Sequence, residues 1–226
     1  MTKTILLMGL VASFLVSAKS PTVVCITGGT AAGKTTFVKN LQSAIGEGGS
    51  VVLGLDGYYL SQSHLTIEEK YKFNWDHPRV LNWDLVREHL SDLKSSNSAQ
   101  IPIFDFVTSS PTGETVLADS ADVIIFEGIH ALYDDVIREQ LCDHKVFIDI
   151  PAEERLRRRI ERDQRERGRS EETTVSGYYA SVKPMHEEFI EPIKDLPGVQ
   201  VVLNHELDDF LSEFVGKLRK AQNLDL

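Results

Sequence analysis

The chain has 226 residues, 42% hydrophobic and 26% charged, which suits one globular domain with a sizeable core. Its formal net charge of −10 disfavours nucleic acid or an anionic membrane as partner, but a local basic patch can still hold a small anion. Two cysteines, Cys25 and Cys142, allow one disulfide at most and fit a reducing compartment.

Lys3 precedes an apolar run from Ile5 to Val16, closed by Ser17, Ala18 and Lys19. This has the shape of a secretory signal and is short for a bilayer span. A packed helix and a loosely ordered extension are the other readings of residues 1–20. Val23 to Thr27 then reads as a short buried strand ending in glycines. Lys34 to Ile45 has helical spacing and is stopped by Gly46, Gly48 and Gly49. Val51 to Leu55 is a second strand, ending at Asp56-Gly57. Asn82 to Lys94 is an amphipathic helix, and Ile101 to Phe106 a strand. Asp122 to Phe126 is almost wholly apolar and reads as a central strand, as does Val146 to Ile150. A charged helix starts at Ala152. Val199 to Leu203 and Leu207 to Ala221 are the last strand and helix. The alternation predicts a doubly wound α/β domain over residues 21–226, with a mainly parallel sheet and ligands beyond the carboxyl ends of its strands.

Gly28-Gly29-Thr30-Ala31-Ala32-Gly33-Lys34-Thr35 fits G-x-x-x-x-G-K-[ST], between a predicted strand and helix. Glycines let successive backbone N–H groups face phosphate, and the helix N-terminus adds positive potential. In such loops the lysine, here Lys34, reaches the β- and γ-phosphates, and the hydroxyl, here Thr35, holds Mg²⁺. ATP and Mg²⁺ are therefore the expected cofactors. No N-K-x-D guanine-reading motif occurs.

Asp56 follows the second strand and faces the same sheet edge. It can take the proton of an attacking hydroxyl and help hold Mg²⁺, or simply serve an Asp-Gly turn. Glu127 ends an apolar strand, where an acid can orient Mg²⁺, cap a helix or pair with a base. Eight arginines stand between Arg155 and Arg169, interleaved with acids. Most read as a solvated face. Two or three are expected to close over triphosphate as part of a lid around residues 155–180.

In order, these motifs resemble the uridine kinases of the phosphoribulokinase/uridine kinase group, from about Val23 to Val202. The match includes Gly28 to Thr36, Asp56-Gly57-Tyr58-Tyr59, Asn74-Trp75-Asp76-His77-Pro78 and Ile101 to Phe106. Phe126-Glu127-Gly128-Ile129, Glu166-Arg167-Gly168-Arg169, Lys183-Pro184 and Phe189-Ile190-Glu191-Pro192 complete it. The resemblance implies a P-loop kinase fold and ATP-dependent phosphorylation of a nucleoside 5′-hydroxyl, with uridine and cytidine the leading acceptors. ATP chemistry argues for a cytoplasmic enzyme, and the resemblance implies that a homo-oligomer is common among relatives. Asp56 becomes the base and a Mg²⁺-shell residue, joined by Glu127. Asp76 and Arg159 grip the ribose hydroxyls. Arg162, Arg167 and Arg169 meet phosphate or base. Tyr59 and Phe106 wall the nucleoside pocket, or pack as ordinary core. The family's base-reading tyrosine, histidine and glutamine fall here at Phe104, Ser109 and about Gly177. That predicts weak base selectivity or a different riboside, with Thr108, Ser109 and Ser110 as a substitute polar wall. A kinase of another small alcohol (a different riboside, pantothenate or a sugar phosphate) is the second expectation. A non-catalytic nucleotide-binding regulator is the third, and a secreted binding module the fourth.

Overall fold

A computed structural model describes residues 19–222. The reading of residues 1–20 as a signal or packed helix therefore falls almost wholly outside the described residues. Five parallel strands form the central sheet: β1 (Thr22–Gly28), β2 (Ser50–Gly54), β5 (Val123–Glu127), β6 (His144–Asp149) and β7 (Val199–Leu203). Their order is β2-β5-β1-β6-β7, so the chain winds outward to both sides of β1. A separate antiparallel pair, β3 (Ala99–Asp105) and β4 (Ser110–Ala118), makes a hairpin.

Alternation along β1 builds both layers of core. Val23 and Cys25 join the face packed with Val86, Leu90 and Leu93 of α3 (Trp83–Lys94). Val24 and Ile26 join the other face, with Phe37 and Leu41 of α1 (Lys34–Ile45) and Phe214 and Leu218 of α7 (Leu207–Gln222). Both faces being covered is why β5 reads Val-Ile-Ile-Phe without a polar alternate. Asn82 lies just outside α3. Its side chain accepts from the Leu85 amide and caps the helix.

The remaining helices surround the carboxyl edge of the sheet. Short α2 (Ile67–Lys72) starts with a reciprocal Thr66–Glu69 capping box. After β6, α4 (Ala152–Arg167) ends at Gly168 in the left-handed conformation. It is followed by α5 (Glu171–Gly177) and α6 (Lys183–Met185), with wide helical turns at Tyr178–Val182 and His186–Ile190. Among the described residues no helix is long and apolar enough to cross a membrane.

Cys25 and Cys142 make up the single pair that the sequence allows. They are joined in a disulfide, Cα atoms 5.8 Å apart, across 117 residues of chain. Cys142 lies two residues before β6, which pairs with β1 beside Cys25. Sequence spacing alone carries no sign of that proximity.

Candidate functional site

The floor of the site is the turn between β1 and α1. Ala31 and Gly33 take left-handed φ values of 55° and 92°, winding the backbone so that its N–H groups converge. Lys34 is buried, and its Nζ donates to the carbonyls of Gly28 (2.9 Å) and Gly29 (3.0 Å). Burial lowers the lysine pKa, while Glu127 and Asp56 act to raise it, so both acids lie close to the ammonium.

Glu127 is the last residue of β5, and burial pushes its carboxyl pKa up against the pull of Lys34. The next residue must be glycine for packing reasons. A Cβ on Gly128 would lie 2.5 Å from Leu55 Cβ. Its absence lets the end of β5 rest against the tight turn Leu55–Tyr58, which carries Asp56. Asp56 thus sits in a 3₁₀ turn one residue beyond Leu55, because β2 stops at Gly54.

A cavity of about 540 Å³ opens above this floor. Thr30 to Thr36 line it, together with Asp56, Tyr59, Asp76, Phe104, Phe106, Ser109, Glu127, Arg159, Arg162, Arg167, Arg169 and Gly177. Gly28 and Gly29, expected among the phosphate-binding residues, do not line it. Gly28 ends β1, and Gly29 packs on the buried Arg155 side chain. Their carbonyls accept from Lys34 Nζ and hold it under the loop.

On the far side from the floor, burial raises the Asp76 carboxyl pKa, Arg159 opposes this, and Asp56 adds to it. Asp76 therefore lies near both the base candidate and the lid arginine. His130 fixes it from behind, its Nε2 2.7 Å from the Asp76 carbonyl oxygen. Burial drives the His130 pKa down to about 4, so the ring is neutral at physiological pH and Nε2–H donates. The Tyr59 phenol is raised by burial and by Asp56 and Asp76. Around it stands an aromatic box. Tyr59 meets Phe104 at 5.0 Å and Trp75 at 5.5 Å, and Phe104 meets Phe106 at 5.4 Å between ring centroids. Arg167 lies over the Phe106 ring at 4.4 Å. Asp105 closes the hairpin turn by accepting from the Val107 amide and the Thr108 hydroxyl. Ser109, at φ 49°, is thereby turned into the wall. Of the polar wall expected at Thr108 to Ser110, only Ser109 lines the cavity.

Two or three residues of the arginine segment are expected to close over triphosphate, and a larger number border the cavity. Six of its eight arginines line the cavity: Arg158, Arg159, Arg162, Arg165, Arg167 and Arg169. Arg157 and Arg165 are the exposed ones, Arg157 paired with Glu154 and Glu161 and Arg165 with Glu166. The organiser is a residue given no role from sequence. Asp163 is fully buried, and its carboxylate accepts from Arg162 at 2.8 and 3.0 Å. Arg159 approaches it to 3.5 Å and Arg167 to 3.7 Å, while its backbone carbonyl accepts from Arg169. Its spacing of four residues from both Arg159 and Arg167 is the signal that could have found it. Arg159 also donates to the Thr30 hydroxyl at 2.7 Å, tying the lid to the loop.

Such an array can hold a triphosphate on loop amides, Lys34 and lid arginines. Among the described residues no three His, Cys, Asp or Glu side chains form a metal cage. Thr35, Asp56 and Glu127 instead suit a cation that keeps phosphate and water ligands, the habit of Mg²⁺. The buried lysine, the converging N–H groups and this oxygen set fit a magnesium–nucleotide complex.

A model of the phosphoribulokinase/uridine kinase family matches residues 23–203. A uridine kinase of Ureaplasma urealyticum serovar 10 is 43% identical over 189 residues, covering 83% of this chain and 91% of that protein. A uridine kinase of Staphylococcus haemolyticus is 42% identical over 174 residues, covering 76% and 83%. Among solved structures, a D-glycerate 3-kinase from Cryptococcus neoformans superposes with a TM-score of 0.60 at 18% identity, over 81% of this chain and 86% of that one. That likeness is one of fold.

Proposed function

Because the chain belongs to the phosphoribulokinase/uridine kinase family, we propose that it transfers the γ-phosphoryl group of ATP to the 5′-hydroxyl of a nucleoside, with uridine and cytidine as acceptors. One observation carries this reading: a single cavity joins Lys34, Thr35, Asp56 and Glu127 on its floor to Asp76 and Arg159 opposite.

MgATP, when bound, supplies an electrophilic phosphoryl group and an ADP leaving group. Lys34 and the loop amides neutralise the phosphates, and Arg162 and Arg167 close over them. Thr35, Asp56 and Glu127 would hold the cation or its waters. Asp76 and Arg159 grip the ribose diol, one accepting and one donating. That grip orients the primary hydroxyl toward the floor. Asp56 takes the hydroxyl proton as the oxygen bonds to phosphorus and the bond to ADP breaks. Asp163 acts through the arginines it aligns.

Phe104, Ser109 and Gly177 favour one second reading, a kinase of another riboside, because none supplies the family's base-reading group. ADP release with MgATP and a panel of uridine, cytidine, other ribosides, pantothenate and sugar phosphates separates the two. Pyrimidine turnover that is lost in Asp56→Asn supports the first reading. Turnover confined to another acceptor moves the substrate, and no turnover with any acceptor defeats both.

A further inference from the structure

Two successive turns of α4 meet two successive residues of the phosphate loop. Arg155 stands in the first turn and lies against Gly29. Arg159, one turn on, donates to the Thr30 hydroxyl at 2.7 Å. Gly29 does not take a left-handed φ, so its backbone would accept a side chain. The arginine is what excludes one. A Cβ there would come within 2.8 Å of Arg155 Cδ and 2.9 Å of Cζ, the shaft as well as the tip. The carbonyl of the same glycine accepts from Lys34 at 3.0 Å. One loop residue therefore touches both the lysine expected to reach phosphate and the base of the helix that carries the lid.

Arg155 has little room to swing aside. It is only 6% exposed, and its Nε donates to the Ile150 carbonyl at 3.1 Å. Its Nη1 is buried with no hydrogen-bond partner among the described residues. Burying a cation with an unmet N–H costs free energy, and an apolar side chain of similar volume would fill the space at lower cost. Packing alone does not account for an arginine here. Arg155 is also absent from the cavity lining, so it acts on no ligand directly. What it touches is the loop.

We infer that Arg155 is a positioning residue for nucleotide binding: its buried guanidinium, fixed at the base of α4, holds Gly29 and with it the curl of the phosphate loop. The inference rests on the part of the kinase reading that puts MgATP on this loop, and it does not depend on which acceptor is used. Misplacing a binding group by about 1 Å can cost up to about 10²-fold.

Calorimetric titration with MgATP, steady-state kinetics and melting curves test this. Arg155→Met keeps the bulk and removes the guanidinium. It should weaken MgATP binding about ten-fold. The KM for nucleoside at saturating ATP should stay within about two-fold, and the thermal midpoint should hold or rise. Gly29→Ala should weaken MgATP binding by a similar factor, because its methyl displaces the arginine. In an Arg155→Ala background, where that space is clear, Gly29→Ala should add less than about two-fold. Unchanged MgATP affinity in Arg155→Met overturns the inference. Equal costs of Gly29→Ala in both backgrounds also overturn it, because the two residues are then uncoupled. So does a loss of MgATP and nucleoside affinity together with a lowered midpoint, the mark of a purely structural role. Wild-type protein that binds no MgATP removes both this inference and the reading beneath it. The titration needs no acceptor, so it decides the role of Arg155 even where no nucleoside is turned over.

Discussion

The phosphate half and the acceptor half of this cavity are built differently. The phosphate half comes from strand ends of one rigid parallel sheet. Residues 28–36 are contiguous, and Asp56 and Glu127 are brought beside them by the β2-β5-β1 order. The acceptor half is collected from a hairpin, a loop before α3, and the helices after β6. Its walls are aromatic rings and hydroxyls, with one acid, Asp76, held by His130. The phosphate half fixes reacting groups in place. The acceptor half encloses a ring with few directional contacts. Chemistry should therefore be intolerant of change on the floor and forgiving around the base.

The largest break should come at the floor. Asp56→Asn removes the proton acceptor from an exposed turn and should lower kcat about 10³-fold, with the thermal midpoint unchanged. Stopped-time ADP assays and a melting curve check this. Asp163→Asn comes next. It strips the buried counter-charge from three arginines, so stability should fall by about 3 kcal/mol in urea unfolding. Since Arg159 and Arg162 serve different substrates, kcat/KM should fall for ATP and nucleoside together. Cys142→Ser isolates the scaffold. Without the bond to Cys25, unfolding should cost about 2–4 kcal/mol less while kcat/KM holds.

His130 gives the comparison a pH dependence. Its folded pKa of about 4 lies below the ordinary 6.5, so between those values the unfolded chain binds the extra proton. The stability it contributes is complete above pH 6.5 and drains as pH falls toward 4. His130→Gln should flatten that acid limb, read as urea midpoints from pH 7 to pH 5. It should also raise the KM for nucleoside more than that for ATP, through Asp76. The smallest effect is expected at Phe104→Tyr. A phenol in the aromatic box should improve selection among bases by a few-fold only.

The two halves also differed in how plainly the sequence announced them. The helix over Lys34–Ile45 and the strand over Val199–Leu203 match their expected bounds, because apolar spacing and glycine stops define both. Strand β4 was not legible. Pro111 and Gly113 interrupt it, and most of its residues face solvent, leaving no apolar run to mark it. Helix α2 had only its Thr66–Glu69 cap as a signal. The loop motif is local, so its residues could be named from spacing, whereas the packing of Gly29 on Arg155 is a tertiary contact that spacing does not carry. Asp76, Arg159 and Ser109 came from resemblance. Asp163 and His130 depend on burial and on what lies opposite them, which one-dimensional spacing does not record. The Cys25–Cys142 bond is the same case at longer range.

The most direct measurement is a competition. Uridine, cytidine and 2′-deoxyuridine at equal concentration share one limiting pool of MgATP, and the initial monophosphate products are weighed by mass spectrometry. Strict phosphate chemistry with a ribose grip and loose base reading predicts uridine and cytidine products within about ten-fold of each other. The 2′-deoxy product should be at least ten-fold scarcer, since Asp76 and Arg159 lose a hydroxyl to hold. A single pyrimidine favoured by about 10³-fold or more, or deoxyuridine used as readily as uridine, would contradict the account.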